Sequence, residues 1–339
     1  MRAPLAWLGP GRLVRDAAVV ASGAEIVYAG SAWGAPPTDE ELQVDGFMMP
    51  AYADRHVHIA LSDPVRVVRG GVTAVRDLAW PAEDIFPLAE ASELPSFSGP
   101  LIRAAGPMLT APGGYPQGQS WAPTGTARVV RGTDDAAKSV GDLADRGATA
   151  IKVSLNAEAG PTVSDAELGA ICAAAGESDL PVTVHAQGEG QVERALGAGV
   201  AEFAHCPWTH ELSDAVIGQM ASATRIVSTL DMLSYGRDTP ELRRALDNLR
   251  RFVAAGGRVS YGTDLGNGAI PPGIDLREVV LLREAGLEME AILAALARSP
   301  LEQGAPADVV GLRRDPFEEI DALGDLLLVV REGRVVVPE

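Results

Sequence analysis

Residues 48–60 read MMPAYADRHVHIA, and they decide how the rest of the chain is read. The protein has five histidines in 339 residues, and His56 and His58 stand one residue apart here. In an extended strand alternate side chains share a face, so both imidazoles point the same way. A shared face is what two ligands of one ion require.

The middle of the chain repeats this pattern of short apolar strands. β-Branched runs at 53–58, 71–77, 101–106, 149–154, 181–186, 201–206, 225–230 and 258–264 alternate with helical stretches such as TDDAAKSVGDLADRG and TPELRRALDNLRRFVAAGG. Thr133, Ser164 and Thr239 are expected N-caps. Eight strands alternating with helices predict parallel pairing, and eight is the number that closes a barrel. A doubly wound open sheet is the alternative, but no glycine-rich phosphate loop follows the first strand.

The two ends differ from the middle. DAAVVASGAEIVYAG and LLLVVREGRVVVPE are apolar runs split by Ser-Gly and Glu-Gly, a hairpin pattern. The expected fold class is therefore α/β, a (β/α)8 TIM-like barrel with a small β-sandwich domain formed by the two chain ends. Its expected bounds are residues 1–46 and 305–339 for the small domain and 47–304 for the barrel.

A formal charge of −18 argues against nucleic acid or an anionic membrane as partner. Two cysteines, Cys172 and Cys206, are too few for a disulfide framework. The opening MRAPLAWLGPGRLVRD is broken by Gly-Pro-Gly and makes a poor signal peptide, and no window approaches a membrane span. A cytoplasmic enzyme acting on a small molecule is the expectation.

Strand parity places the polar residues. In AIKVSL, Ile151, Val153 and Leu155 suit a helix-packed exterior and direct Lys152 inward. The same reading turns His185 inward in PVTVHA and Ser260, Gly262 and Asp264 inward in RVSYGTD, while His205 ends its own strand. All lie near the C-terminal ends of strands, where barrel active sites are built. Each has a plainer explanation taken singly: a satisfied core histidine, a turn-capping Asp264, a snorkelling Lys152. His210, in PWTHELS, and Asp77 are read as structural. The coincidence of six such residues at one mouth is what points to a metal site. Neutral imidazoles and carboxylates suit zinc and neighbouring divalent metals.

With these residues in view, the chain resembles the amidohydrolase superfamily, close to its imidazolonepropionase-like and prolidase-like group. MMPAYADRHVH is similar to the Pro-Gly-x-x-Asp-x-His-x-His opening of that group, and GVTAVRDL, GATAIKV, VTVHAQG, AEFAHC, VSYGTDLG and GAPADVVGLRRDPFEEI follow in the family's order. The resemblance implies that His56 and His58 bind a first metal with Asp264, that Lys152, N6-carboxylated by carbon dioxide, bridges two metals, and that His185 and His205 bind the second. It implies two divalent ions, zinc first, with manganese, iron or cobalt as alternatives. Asp264 would serve as general base and then acid in hydrolysis of a C–N amide-type bond, with His205 or His185 orienting the carbonyl. Departures are Ala51 and Tyr52 after Pro50, Tyr115 where Gly-Gly-His is common, and the absence of Thr-x-Asn-Pro-Ala near 295–302.

The substrate is less legible. Tyr115, Trp121, Trp208 and Tyr235 are candidates to wall an apolar or ring-bearing substrate, and Arg237 to hold a carboxylate bidentately. Loop-packing aromatics and a solvated Arg237 are the competing reading. A dipeptide-like, N-acyl or cyclic amide is the first expectation. Lactone or ester hydrolysis, a metal-dependent lyase or isomerase, and a mononuclear imidazolonepropionase-like enzyme stay open, as does a homo-oligomer.

Overall fold

The run around His56 is a strand, β1 (Tyr52–Val57), in a computed structural model that describes residues 1–337. Seven more parallel strands follow: β2 (Val72–Asp77), β3 (Leu101–Ala104), β4 (Ile151–Asn156), β5 (Val182–Gln187), β6 (Glu202–Phe203), β7 (Arg225–Val227) and β8 (Arg258–Ser260). Neighbours pair in sequence order from β1 to β3 and from β4 to β8.

The third strand is split. It leaves the ladder at Ala104, turns at Gly106 with φ 73°, and resumes at Met108–Thr110, where Leu109 pairs with Val153 of β4. The ring closes between β8 and β1, with Arg55 N donating to Tyr261 O (3.1 Å), Asp264 N to His56 O (2.8 Å) and His58 N to Leu265 O (2.7 Å). The fold is thus an α/β barrel. Its sixth to eighth strands are shorter than the apolar runs suggest. Beyond the regular ladder, single bonds such as Cys206 N to Ser228 O and Thr229 N to Gly262 O carry the chain to the rim.

Both faces of β4 are buried, as a strand covered by helices outside and by neighbours inside requires. After α1 (Pro64–Arg69) and α2 (Ala82–Ser92), and before α5 (Gln191–Gly197) and α6 (Asp214–Ala223), α3 (Thr133–Ala144) and α4 (Asp165–Glu177) cover this strand, and Ile151, Val153 and Leu155 join one core with Val140, Leu143, Leu168 and Ile171. Ser164 closes a capping box with Glu167, and Thr239 caps α7 (Pro240–Ala254) through Leu242 N. Thr133 is not a cap. It is the first helical residue, and the cap position goes to Gly132, whose φ of 86° suits glycine.

The chain ends form one seven-stranded mixed sheet. Strand Phe47–Pro50 belongs to it, between Arg2–Trp7 and Val309–Leu312. The sheet wraps its own apolar centre, which includes Ala6, Val19, Ile26, Met48, Val309 and Val330. Its other face, through Trp7, Phe47, Met49 and Val310, joins the barrel core. No helix among the described residues is long and apolar enough to cross a membrane.

Candidate metal centre

β1 brings His56 and His58 to the C-terminal rim with both Nε2 atoms 3.2 Å from Oδ1 of Asp264. The opposite ring nitrogens are anchored to carbonyls, Nδ1 of His56 to Ala204 O at 2.8 Å and Nδ1 of His58 to Ala79 O at 3.1 Å. A carbonyl only accepts, so each Nδ1 carries a proton and a neutral ring keeps its lone pair on Nε2. Burial, then the Lys152 charge, pushes His56 well below the usual histidine range. Its Nε2 lone pair therefore faces a carboxylate oxygen, and a cation between two acceptors is what relieves such a contact. Burial lowers His58 too, but the hydrogen bond and charge of Asp264 outweigh it and raise the group overall.

Asp264 sits in the left-handed region at φ 60°, uncommon for a residue with a side chain. Burial works against its charge, yet the surrounding imidazoles hold its pKa well below the ordinary value. Its Oδ2 accepts from Asn267 Nδ2 at 3.1 Å, which leaves Oδ1 for the histidines. Gly262 matters for closeness, since a Cβ there would run into Val227 and crowd His56.

His205 is fixed by Thr229, whose Oγ1 lies 2.9 Å from Nδ1. Ligand atoms of His56, His205 and Asp264 all lie within 4.8 Å of one another. His185, lowered to about 3 by burial and then by the Lys152 charge, has Nε2 3.2 Å from Asn156 Nδ2. Lys152 is fully buried and its Nζ has no hydrogen-bond partner among the described residues. Burial is the main cause that lowers its pKa to about 7. Beneath it Glu202 pairs with Arg76 and accepts from Thr183 Oγ1 at 3.0 Å, filling the barrel interior.

The four histidines, Lys152 and Asp264 line one cavity of about 180 Å³ together with Met108, Tyr115, Asn156, Gln187, Met232 and Asn267. Tyr115 stacks on His185 (5.1 Å between ring centres), Trp121 lies 4.7 Å from His58, and Trp208 lies 5.4 Å from His205. Tyr235 donates to Asn267 Oδ1 at 3.1 Å. Arg237 is brought elsewhere: it is exposed and lines a separate groove beside α7. His210 lies outside the cavity and contacts Thr209.

Two buried carboxylates hold these groups in place, Asp54, which no local pattern singles out, and Asp77, the residue read as structural. Asp54 accepts from His56 N (3.0 Å), Thr263 N (3.1 Å) and Thr263 Oγ1, tying β1 to the segment after β8. Asp77 accepts from Ile59 N (2.8 Å) and Ala79 N (3.2 Å), and so shapes the loop whose carbonyl holds His58.

A closed α/β barrel that gathers imidazoles, a buried lysine and a carboxylate at its C-terminal rim has the architecture of a barrel hydrolase. The chain belongs to the amidohydrolase family, whose family model matches residues 47–302, and it is an enzyme of that hydrolase class, a class that generally uses divalent metals. Among curated relatives, ochratoxinase of Aspergillus niger is 24% identical over 391 residues, covering 92% of this chain and 80% of the relative. Among solved structures, a Xaa-Pro dipeptidase with bound methionine superposes with a TM-score of 0.82 at 21% identity, covering 98% of each chain. A protein from Bifidobacterium longum, assigned as a prolidase, gives 0.81 at 21% identity, covering 99% of this chain and 93% of the other.

Proposed function

We propose that this chain is a metal-dependent hydrolase of amide-type C–N bonds, acting on a dipeptide-like, N-acyl or cyclic amide at the histidine cavity. The carrying observation is the contact of Asp264 Oδ1 with two imidazole nitrogens beside an unpartnered, fully buried Lys152 Nζ. The carboxylate and the inward Nε2 lone pair of His56 suit a cation, and the Lys152 amine, which has no partner among the described residues, suits one once it is carboxylated. The names of the relatives, ochratoxinase and Xaa-Pro dipeptidase, support the amide reading.

In this reading His56, His58 and Asp264 hold one divalent ion, zinc first among the candidates, and His185 and His205 a second. Lys152 would add a carboxylate ligand once its neutral amine reacts with carbon dioxide, forming the N–C bond of a carbamate and releasing a proton. A pKa near 7 keeps a usable share of that amine unprotonated at neutral pH. Bound divalent ions supply a Lewis acid for the carbonyl and lower the pKa of water. Asp264 takes the proton from the attacking water and hands it to the departing nitrogen, so that water adds across the C–N bond. The carbonyls of Ala204 and Ala79 keep the His56 and His58 rings in the tautomer that presents Nε2 inward, and Thr229 anchors the His205 ring at Nδ1.

A second reading has its own support. His56, His205 and Asp264 converge closely enough for a single ion, while Nε2 of His185 is engaged by Asn156. There Lys152 stays unmodified and His185 orients substrate.

The test is turnover of a panel of N-acyl amino acids, dipeptides and cyclic amides before and after chelation, with metal added back, beside Asp264→Asn. Metal-dependent amide cleavage that falls about 10²–10⁴-fold in the variant is expected. Chelation that leaves cleavage intact would overturn the proposal.

A further inference from the structure

We infer that the barrel carries, at the end opposite the histidine cavity, a binding site for a small organic or inorganic anion with more than one negative charge. Arg225 and Arg258 are the first residues of β7 and β8 and are direct register partners. Neighbouring strands run about 4.8 Å apart, so these guanidinium stems start side by side on one face. Like charges placed opposite each other weaken a sheet.

Arg55 completes the set from β1, the strand that closes against the β8 segment. Its Nη1 donates to Ala295 O and Nη2 to Ala297 O, each at 2.8 Å, with a longer bond to Ala53 O. Carbonyl dipoles solvate that cation, but no carboxylate comes within ion-pair distance of it among the described residues. Neither Arg225 nor Arg258 has an ion pair or side-chain hydrogen bond among the described residues.

The contrast with the rest of the surface is informative. Acidic residues outnumber basic ones 46 to 28, and several arginines of the surface pair with them, Arg243 with Asp238, Arg251 with Asp214 and Arg314 with Glu319. Glu202, the register partner of Arg225 on its other side, is taken up by Arg76, so the three arginines keep an excess of positive charge with no ion pair of their own among the described residues.

The three line one cavity of about 600 Å³ beneath the C-terminal end of α7 and beside α9 (Met289–Leu296). Glu288 is the one carboxylate among its lining residues, which leaves a surplus of positive charge. Glu288 also occupies the cap position of α9 without making a side-chain cap bond, so first-turn N–H groups add to the positive field. Ala291, Ala294 and Ala295 keep the wall low. The volume suits a small metabolite, and forked guanidinium groups match carboxylate or phosphate oxygens. This cavity and the histidine cavity share no lining residue, so the two sites are separate.

The test is titration calorimetry of the metal-loaded protein with inorganic phosphate and, separately, with succinate, at fixed ionic strength in chloride. At least one anion is expected to bind at one site per chain, and the two arms tell phosphate from dicarboxylate chemistry. The Arg225→Ala/Arg258→Ala variant should weaken that binding by tenfold or more, about 1.4 kcal/mol or more. Should that variant not fold, the Arg258→Gln variant is the substitute, with the same direction of change. In chloride buffer without phosphate or succinate its melting temperature should equal or exceed that of the wild type, because a like-charge contact is gone. Absence of binding in the wild type, or equal binding in the variants, would overturn the inference; the second result would assign the anion to the metal centre.

Discussion

Thr229 holds His205: its Oγ1 lies 2.9 Å from the ring Nδ1, and it does so from a left-handed backbone at φ 45°. A β-branched residue in that region is a true outlier, and such strain, of order 1–3 kcal/mol, clusters at functional sites. The hydroxyl is what the strained backbone aims at the ring.

Thr229→Val keeps the shape and loses that hydroxyl. Metal affinity or kcat/KM should fall about 10–100-fold, the usual effect of removing the partner of a ligating histidine. Thr229→Ser should keep most of the activity. Metal titration and steady-state kinetics on both variants check this, and equal loss in the two would show that the hydroxyl is not the working part.

Asp54 joins β1 to the β8 segment through three donors in a buried setting. Asp54→Ala strands them, and at about 1–3 kcal/mol per buried unsatisfied group the loss should reach roughly 3 kcal/mol or more. Denaturant unfolding of the metal-free protein measures this. A midpoint within error of the wild type would mean that water or a neighbour replaces the carboxylate.

These two residues show where sequence reading stops. The strand positions and the inward turn of Lys152, His185 and Asp264 were legible because alternation along a strand is local. Asp54 stands in the quoted opening stretch, but its partner Thr263 is 209 positions away, and nothing local announces the pairing. Thr229 and Asn156 are likewise defined by what the barrel brings next to them, His205 at 24 positions and His185 at 29. Thr133 had the chemistry of a cap, but a glycine one residue earlier took the position. Arg237 had the chemistry of a carboxylate clamp, and the chain path after β7 carries it to another groove.

Glu278 gives a pH prediction away from the metal centre. It is buried in α8 (Leu276–Glu284) and accepts from Leu230 N and Asp231 N, both at 2.7 Å. Burial is the main cause that raises its pKa to about 8 from 4.5. Between those values the folded protein binds more protons than the unfolded chain, so stability falls as pH rises through that window. Glu278→Gln should flatten this slope. Melting curves of both proteins from pH 4.5 to 8 check it; parallel curves would show that the carboxyl is ionised throughout.

Trp121 and Arg237 divide the substrate question. Trp121 packs 4.7 Å from His58, whereas Arg237 is exposed outside the cavity. Under the proposed role of Trp121 in walling the substrate, Trp121→Ala should raise KM several-fold or more, since burying an aromatic contributes about 1–3 kcal/mol. Arg237→Ala should stay within about twofold of the wild type, as surface substitutions do. Kinetics on one amide substrate decide, and a large KM effect from Arg237 alone would place the substrate in the α7 groove.

The most direct measurement is metal per chain by elemental analysis, on wild type and Lys152→Ala grown with added zinc or manganese. About two ions are expected in the wild type and one or fewer in the variant, since a carboxylated Lys152 would serve both. One ion in both would contradict the bridging role of Lys152 and favour the single-ion site of His56, His205 and Asp264. No ion in either would contradict the central claim itself.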